Sequence, residues 1–176
     1  MKYSELMNLF WDAIDAIAGN DVNTPSDRFI RWKYPSKGGP DWEIEDNIIF
    51  LNLSEMDDEW GKQNDSIYVT ENDTVIRKRA RTRVWELLCT IYGPNACDIA
   101  NEIKDGVFTD SIRRMLSKNE VFLIPDIPVC RYVPELYAGR WWNRYDVALH
   151  FNEWYEAPDE DVGHIESLTV NTSVHN

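Results

Sequence analysis

The chain has 176 residues, is 43% hydrophobic and carries eight Trp, eight Tyr and six Phe, enough apolar material to build a core. Its 18 Lys and Arg stand against 31 Asp and Glu, and a formal charge of -13 argues against a general binder of duplex nucleic acid, whose phosphates would be repelled. No run approaches the roughly eighteen apolar residues of a membrane helix, and Glu5, Asp12 and Asp15 interrupt the apolar pattern of residues 1–18, unlike a secretory leader.

In chain order, Leu6, Phe10, Ile14 and Ile17 recur at helical spacing, so residues 4–18 are expected to form an amphipathic helix. Ser4 is its candidate cap and Gly19-Asn20 its stop. Turn chemistry around Pro25 leads to a short strand at Phe29–Tyr34, and Pro35–Trp42 is expected to be a loop on its Gly and Pro content. Ile48–Leu53 reads as a strand, Met56–Asp65 as an acidic connection, and Ser66–Thr70 as a strand that turns at Glu71–Asp73 into the next. Thr74–Tyr92 is one long extended stretch, basic in its first half and apolar in its second. Gly93-Pro94 ends it. Asn95 is positioned to cap a helix to about Lys104, buried through Ala96, Ile99, Ala100 and Ile103, with Gly106 as its stop. Thr109 or Asp110 caps a shorter helix containing Ile112, Met115 and Leu116. Short strands follow at Val121–Ile124 and Ile127–Tyr132, then a loop at Val133–Gly139.

The segment Arg140–Glu156 (RWWNRYDVALHFNEWYE) organises the rest. Its odd positions Trp141, Tyr145, Val147, Leu149, Phe151 and Tyr155 are apolar, and its even positions are mostly polar. That two-residue period marks a half-buried strand, far longer than the usual five or six residues, along which other strands would pair. Gly163–Val170 is expected to pair back on it after the acidic turn Pro158–Asp161, and the chain ends in a polar tail from about residue 171. One helix, several strands, two helices and further strands give an α+β fold in a single domain spanning residues 1–176. Its mostly antiparallel sheet of long strands is packed by the N-terminal helix and the pair of central helices.

Signals for chemistry are sparse. His150, His164 and His175 have no metal-ligand spacing, and no phosphate loop, dinucleotide fingerprint or nucleophile elbow is present, so neither a cofactor nor an enzymatic activity is expected. Cys89, Cys97 and Cys130 form no CxxC pair and read as buried thiols in a reducing cytoplasm. Two other features stand out. Arg77, Arg79, Arg81 and Arg83 share odd parity and would form a ridge on one face of a strand, either a solvated face or one that meets acidic surface on a neighbouring molecule. Trp141 and Trp142 lie between Arg140 and Arg144, residue types enriched at interfaces. Adjacent residues face opposite sides, so Trp141 is expected to pack inward, with Trp142 turned to a partner.

The run IYGPNACDIANEIKDGV (Ile91–Val107), with its Tyr92-Gly93 turn, the following helices, the Pro-rich strands from Ile124-Pro125 to Val133-Pro134, and W-x-x-R at Trp141–Arg144, resembles the tail-terminator and neck-terminator proteins of tailed bacteriophages. The resemblance covers about Ile48–Val170 and implies a structural virion protein in the tail or neck, assembled in the host bacterial cytoplasm. It implies a homohexameric ring that caps the tail tube, stops tail polymerisation and joins the tail to the head connector and neck proteins. Genome DNA would pass through the channel without sequence-specific binding. Such a ring needs complementary faces on one subunit, which the arginines and acidic loops such as Asp57–Glu59 offer, and the ridge would face either that neighbour or the lumen. The alternatives are a head–tail adaptor or tail-completion protein, and, from another class, a nucleic-acid-binding module or an inhibitor with an acidic surface.

Overall fold

The computed structural model describes residues 1–18, 28–35, 42–71 and 74–157. Helix α1 (Tyr3–Ala18) buries Leu6, Phe10 and Ile14 of the stripe expected from the sequence, leaves Ile17 half-buried, and adds Leu9, Ala13 and Ala18. Its start depends on Glu5, whose carboxylate accepts the Lys2 N–H at 2.9 Å, and the helix begins one residue before the expected Ser4 cap. Strands β1 (Arg28–Trp32), β2 (Asn47–Glu55), β3 (Asp65–Glu71) and β4 (Thr74–Tyr92) follow, with a 3-10 turn at Trp60–Lys62 inside the acidic connection. Then come α2 (Ala96–Gly106), α3 (Asp110–Ser117), β5 (Val121–Leu123), β6 (Arg131–Tyr132), β7 (Glu135–Tyr137), β8 (Arg140–Trp142) and β9 (Arg144–Glu156). This is the α+β architecture expected, with a mostly antiparallel sheet of long strands.

The main sheet runs β1-β2-β4-β9-β5, with β3 added to β4 and β6 to β9, and only β1 and β2 pair in parallel. Strand β4 is the spine. β2 lies along its second half and β3 along its first half on the same edge, because Ala80 pairs with Asp65 on one side and Glu156 on the other. β9 covers the opposite edge from Ala80 to Tyr92, in register Leu87↔Leu149. The odd-parity face of this spine is apolar where helices cover it: Trp85, Leu87, Cys89 and Ile91 of β4 and Val147, Leu149 and Phe151 of β9 belong to one core with Phe10, Ile99, Ile103, Ile112 and Leu116. The Phe10 and Phe151 rings meet at 4.6 Å, and burying side chains of this size stabilises the fold by about 1.5–3 kcal/mol each.

The turn from β4 into α2 shows how local chemistry fixes the layer. Gly93 has φ 118°, and a Cβ there would lie 2.5 Å from the Asp46 carbonyl, so only glycine fits. Asn95 occupies the N-cap position without a side-chain cap bond; the buried Asn47 caps instead, its Oδ1 accepting the Asn95 N–H at 3.0 Å. Gly106 closes α2 where Ile17 of α1 leaves no room for a side chain. Thr109 precedes α3, but its hydroxyl donates to the Gly106 carbonyl at 2.8 Å rather than capping α3.

Two expectations need correction. The segment 140–156 is not one strand: it breaks at Asn143, because β8 turns away to pair with β7 through Ala138 (φ 50°) and Gly139 (φ 75°). Positive φ at both central residues is the geometry of a tight hairpin, and it replaces the loop expected at Val133–Gly139. The strand expected over Ile127–Tyr132 shrinks to Arg131–Tyr132, since Pro128 has no N–H to add to a ladder. The turns at residues 21–27 and 72–73, most of the loop 36–41, the segment 158–170 and the tail from 171 lie outside the described residues.

Candidate functional site

The four β4 arginines share one face of the strand, but their surroundings change steadily along it. Arg77 and Arg79 are exposed, and Arg77 donates from Nε and Nη2 to Ser66 Oγ at 3.0 and 2.8 Å. Arg81 is half-buried, 3.6 Å from Glu55 Oε1, with its guanidinium over the Tyr155 ring. Arg83 is inside, its side chain 12% exposed, and donates twice to Glu153, whose carboxylate is fully buried. Glu153 also accepts from the Met1 amino group at 2.9 Å and from Trp85 Nε1 at 2.7 Å, while Arg83 Nη2 donates to the Met1 carbonyl at 2.9 Å. Burial pushes the Glu153 carboxyl up, but the hydrogen bonds from Arg83, the Met1 amino group and Trp85 outweigh it and hold it below the usual range. The ridge thus has an outer half turned to solvent and an inner end locked into the fold.

The outer half lies on an arm. β9 stops at the level of Ala80, Ala157 N–H donates to the Arg79 carbonyl, and among the described residues Thr74–Lys78 pair with β3 alone. Among the described residues this makes a two-stranded arm of about 20 Å at the strand rise. On its odd-parity face Tyr68 stands opposite Arg77 and is 67% exposed.

At the other end of β4 the remaining sequence candidates form a second cluster. Trp142 packs its ring at 4.6 Å from Trp42 and 6.0 Å from Tyr137, and Trp42 also meets Tyr92 and Phe50. Trp42, Tyr92, Glu135, Tyr137 and Trp142 line a cavity of about 290 Å3. At its floor Glu135 accepts from Tyr92 OH at 2.7 Å and from Arg144 Nη1, and Arg144 also forms a fork with Asp146 at 2.8 Å on each side. Burial, then donation to Glu135, raises the Tyr92 phenol, and the Asp146 hydrogen bonds raise Arg144 further above its usual value. Arg140 is exposed on β8, opposite Tyr137.

Sequence reasoning assigned the tryptophan pair the wrong way round in one respect. Trp141, expected to pack inward, is 67% exposed and stands opposite Leu136, 61% exposed, on the outer face of the β7–β8 hairpin. Trp142 takes the inner, half-buried face. The break at Asn143 is what decides this, since it keeps the parity of β9 from carrying back into β8.

Other chemistry-bearing residues are placed plainly. Only Cys89 of the three cysteines is buried, its thiol pushed up to about 12 by burial; Cys97 is exposed and Cys130 half-buried, contrary to expectation. His150 lies 3.3 Å from Glu86 on the even-parity face. Among the described residues no group of three or more His, Cys, Asp or Glu could hold a metal ion, and no helix is long and apolar enough to cross a membrane.

Exposed arginines on the β3–β4 pair and exposed rings on the β7–β8 hairpin are residue types enriched at protein interfaces. The family model for the phage neck terminator protein matches residues 4–176, and the chain belongs to that family. No curated protein matches the chain. Its role is structural, at the neck of a phage virion, among the tail and neck proteins.

Proposed function

We propose that this chain forms a homohexameric ring that caps the completed tail tube, stops its polymerisation and presents the tail to the head connector. The match to the neck-terminator family over almost the whole chain carries the reading. The projecting arm and the exposed β7–β8 hairpin support it, because a closed ring of identical subunits needs different, complementary surfaces on each copy. In this reading residues 1–176 act as one domain. Arg77, Arg79, Arg81, Arg140 and Trp142 supply contacts to a neighbour or to the lumen, while Arg83 and Arg144 hold those surfaces in place from within their ion pairs. The net charge of -13 keeps a passing duplex from adhering to the channel. Electron microscopy of lysates from a phage lacking this gene tests the reading. Overlong or unattached tails are expected. Tails of normal length beside filled heads would replace the terminator by an adaptor, and intact virions would exclude a neck role.

A further inference from the structure

We propose that the aromatic cavity at one end of β4 is a socket for a cationic side chain, and that its occupant is Arg77 on the arm of a second copy of this chain. The inference rests on the ring reading above and specifies one of its junctions.

The cavity has the chemistry of a cation site. Trp42, Tyr92, Tyr137 and Trp142 line it, and aromatic rings attract a guanidinium or ammonium through their negative quadrupoles, as Tyr92 already does for Arg144 at 5.9 Å. Glu135 adds a carboxylate that is 43% exposed. It uses two of its roughly four acceptor positions on Tyr92 and Arg144 and keeps the others for an incoming donor. Arg144 does not neutralise the site, since its single charge is shared between Glu135 and Asp146. Tyr137 is 69% exposed at the rim, so the socket is open from solvent.

The same chain carries the matching plug. Arg77 is exposed on the arm, and among the described residues its guanidinium meets a neutral partner, Ser66 Oγ. Tyr68 stands beside it on the same face. An aromatic paired with arginine is the combination that dominates binding energy at interfaces. Arginine suits such a socket better than lysine because its flat guanidinium stacks on rings while its N–H fork reaches a carboxylate.

Position decides the occupant. Arg77 and Tyr92 lie on one strand, separated by roughly 50 Å at the strand rise, and they face opposite sides of the sheet. A plug and socket so far apart cannot meet within one chain. Placed at opposite ends of one rigid spine, they join copies head to tail, which is the heterologous contact a closed ring requires.

The test begins with the mass of the full-length protein in solution, measured by light scattering after size exclusion. The wild type is expected to assemble. Arg77→Glu and Tyr137→Ala, both at exposed positions, are each expected to weaken association at least about tenfold, as loss of a hot-spot residue does, with unchanged melting temperature. Arg113→Glu, exposed on α3, is expected to leave the mass unchanged. In a Cys97→Ser, Cys130→Ser background, Arg77→Cys with Tyr137→Cys is expected to cross-link on oxidation into a ladder ending at a closed ring, and either cysteine alone is not. A wild type that stays monomeric overturns the second-copy occupant. Arg77→Glu rings indistinguishable from wild type overturn the socket while leaving the ring reading intact. Dimers from Arg77→Cys alone overturn the head-to-tail arrangement.

Discussion

Replacing Arg83 by Met removes the main partner of a fully buried carboxylate at the root of the arm. Arg83 and Glu153 are register partners on β4 and β9. Their side chains are 12% and 0% exposed, so solvent screens the pair little. Breaking such a pair costs about 3–5 kcal/mol, because a charge is left buried without compensation. Here the Met1 amino group and Trp85 Nε1 still donate to Glu153, which places the expected loss near the lower end, about 3 kcal/mol. For a domain of this size that lowers Tm by roughly 6–12 °C. Glu153→Leu alone strands Arg83 and is expected to cost at least as much. The double variant, with both charges gone, leaves the Trp85 N–H and the Met1 amino group without their acceptor and is expected to lie only about 1–3 kcal/mol below wild type. Urea unfolding followed by circular dichroism measures all three. Additive single losses, or an Arg83→Met loss under about 1 kcal/mol, would mean that the pair is screened and that the arm is not anchored through it.

The same carboxylate sets an acid limb. Its folded-state pKa is depressed, so its contribution is complete above the unfolded carboxylate value of about 4.3 and disappears as pH falls through the lower folded value; Glu153→Gln is expected to flatten that limb, as unfolding between about pH 5 and 2 would read. Thr90 Oγ1 is buried without a hydrogen-bond partner among the described residues, so Thr90→Val is expected to leave stability unchanged or raise it by about 1 kcal/mol in chemical denaturation. Gly93→Ala is expected to cost more than the roughly 1–3 kcal/mol of backbone strain, since its Cβ would also meet the Asp46 carbonyl; an unchanged Tm would refute the turn geometry.

Much of the fold was legible because its periods are strong. The helical stripe of α1, the parity of β9 from Tyr145 to Tyr155 and the length of β4 all survive in the structure, since each presents one apolar face to the same core. Boundaries set by single residues were not legible. Asn47 caps α2 from nearly fifty residues away, a contact that no local pattern around Asn95 could reveal. The β7–β8 hairpin depends on Ala138 adopting positive φ, which alanine rarely does, so its turn carries no familiar signature. Glu153 is a charged residue on the apolar parity of β9, and its role emerges only where β4 brings Arg83 alongside. The arginine ridge was visible as a parity pattern, but which of its members face solvent depends on where β9 stops.

The measurement that bears most directly on the neck-terminator account is reconstitution. Purified protein would be added to a lysate of phage lacking the gene, and joined particles counted by electron microscopy and plaque titre. Tails of defined length attached to filled heads, with infectivity restored, are the expected result. Heads and tails that stay separate despite addition of folded, assembled protein would contradict the account.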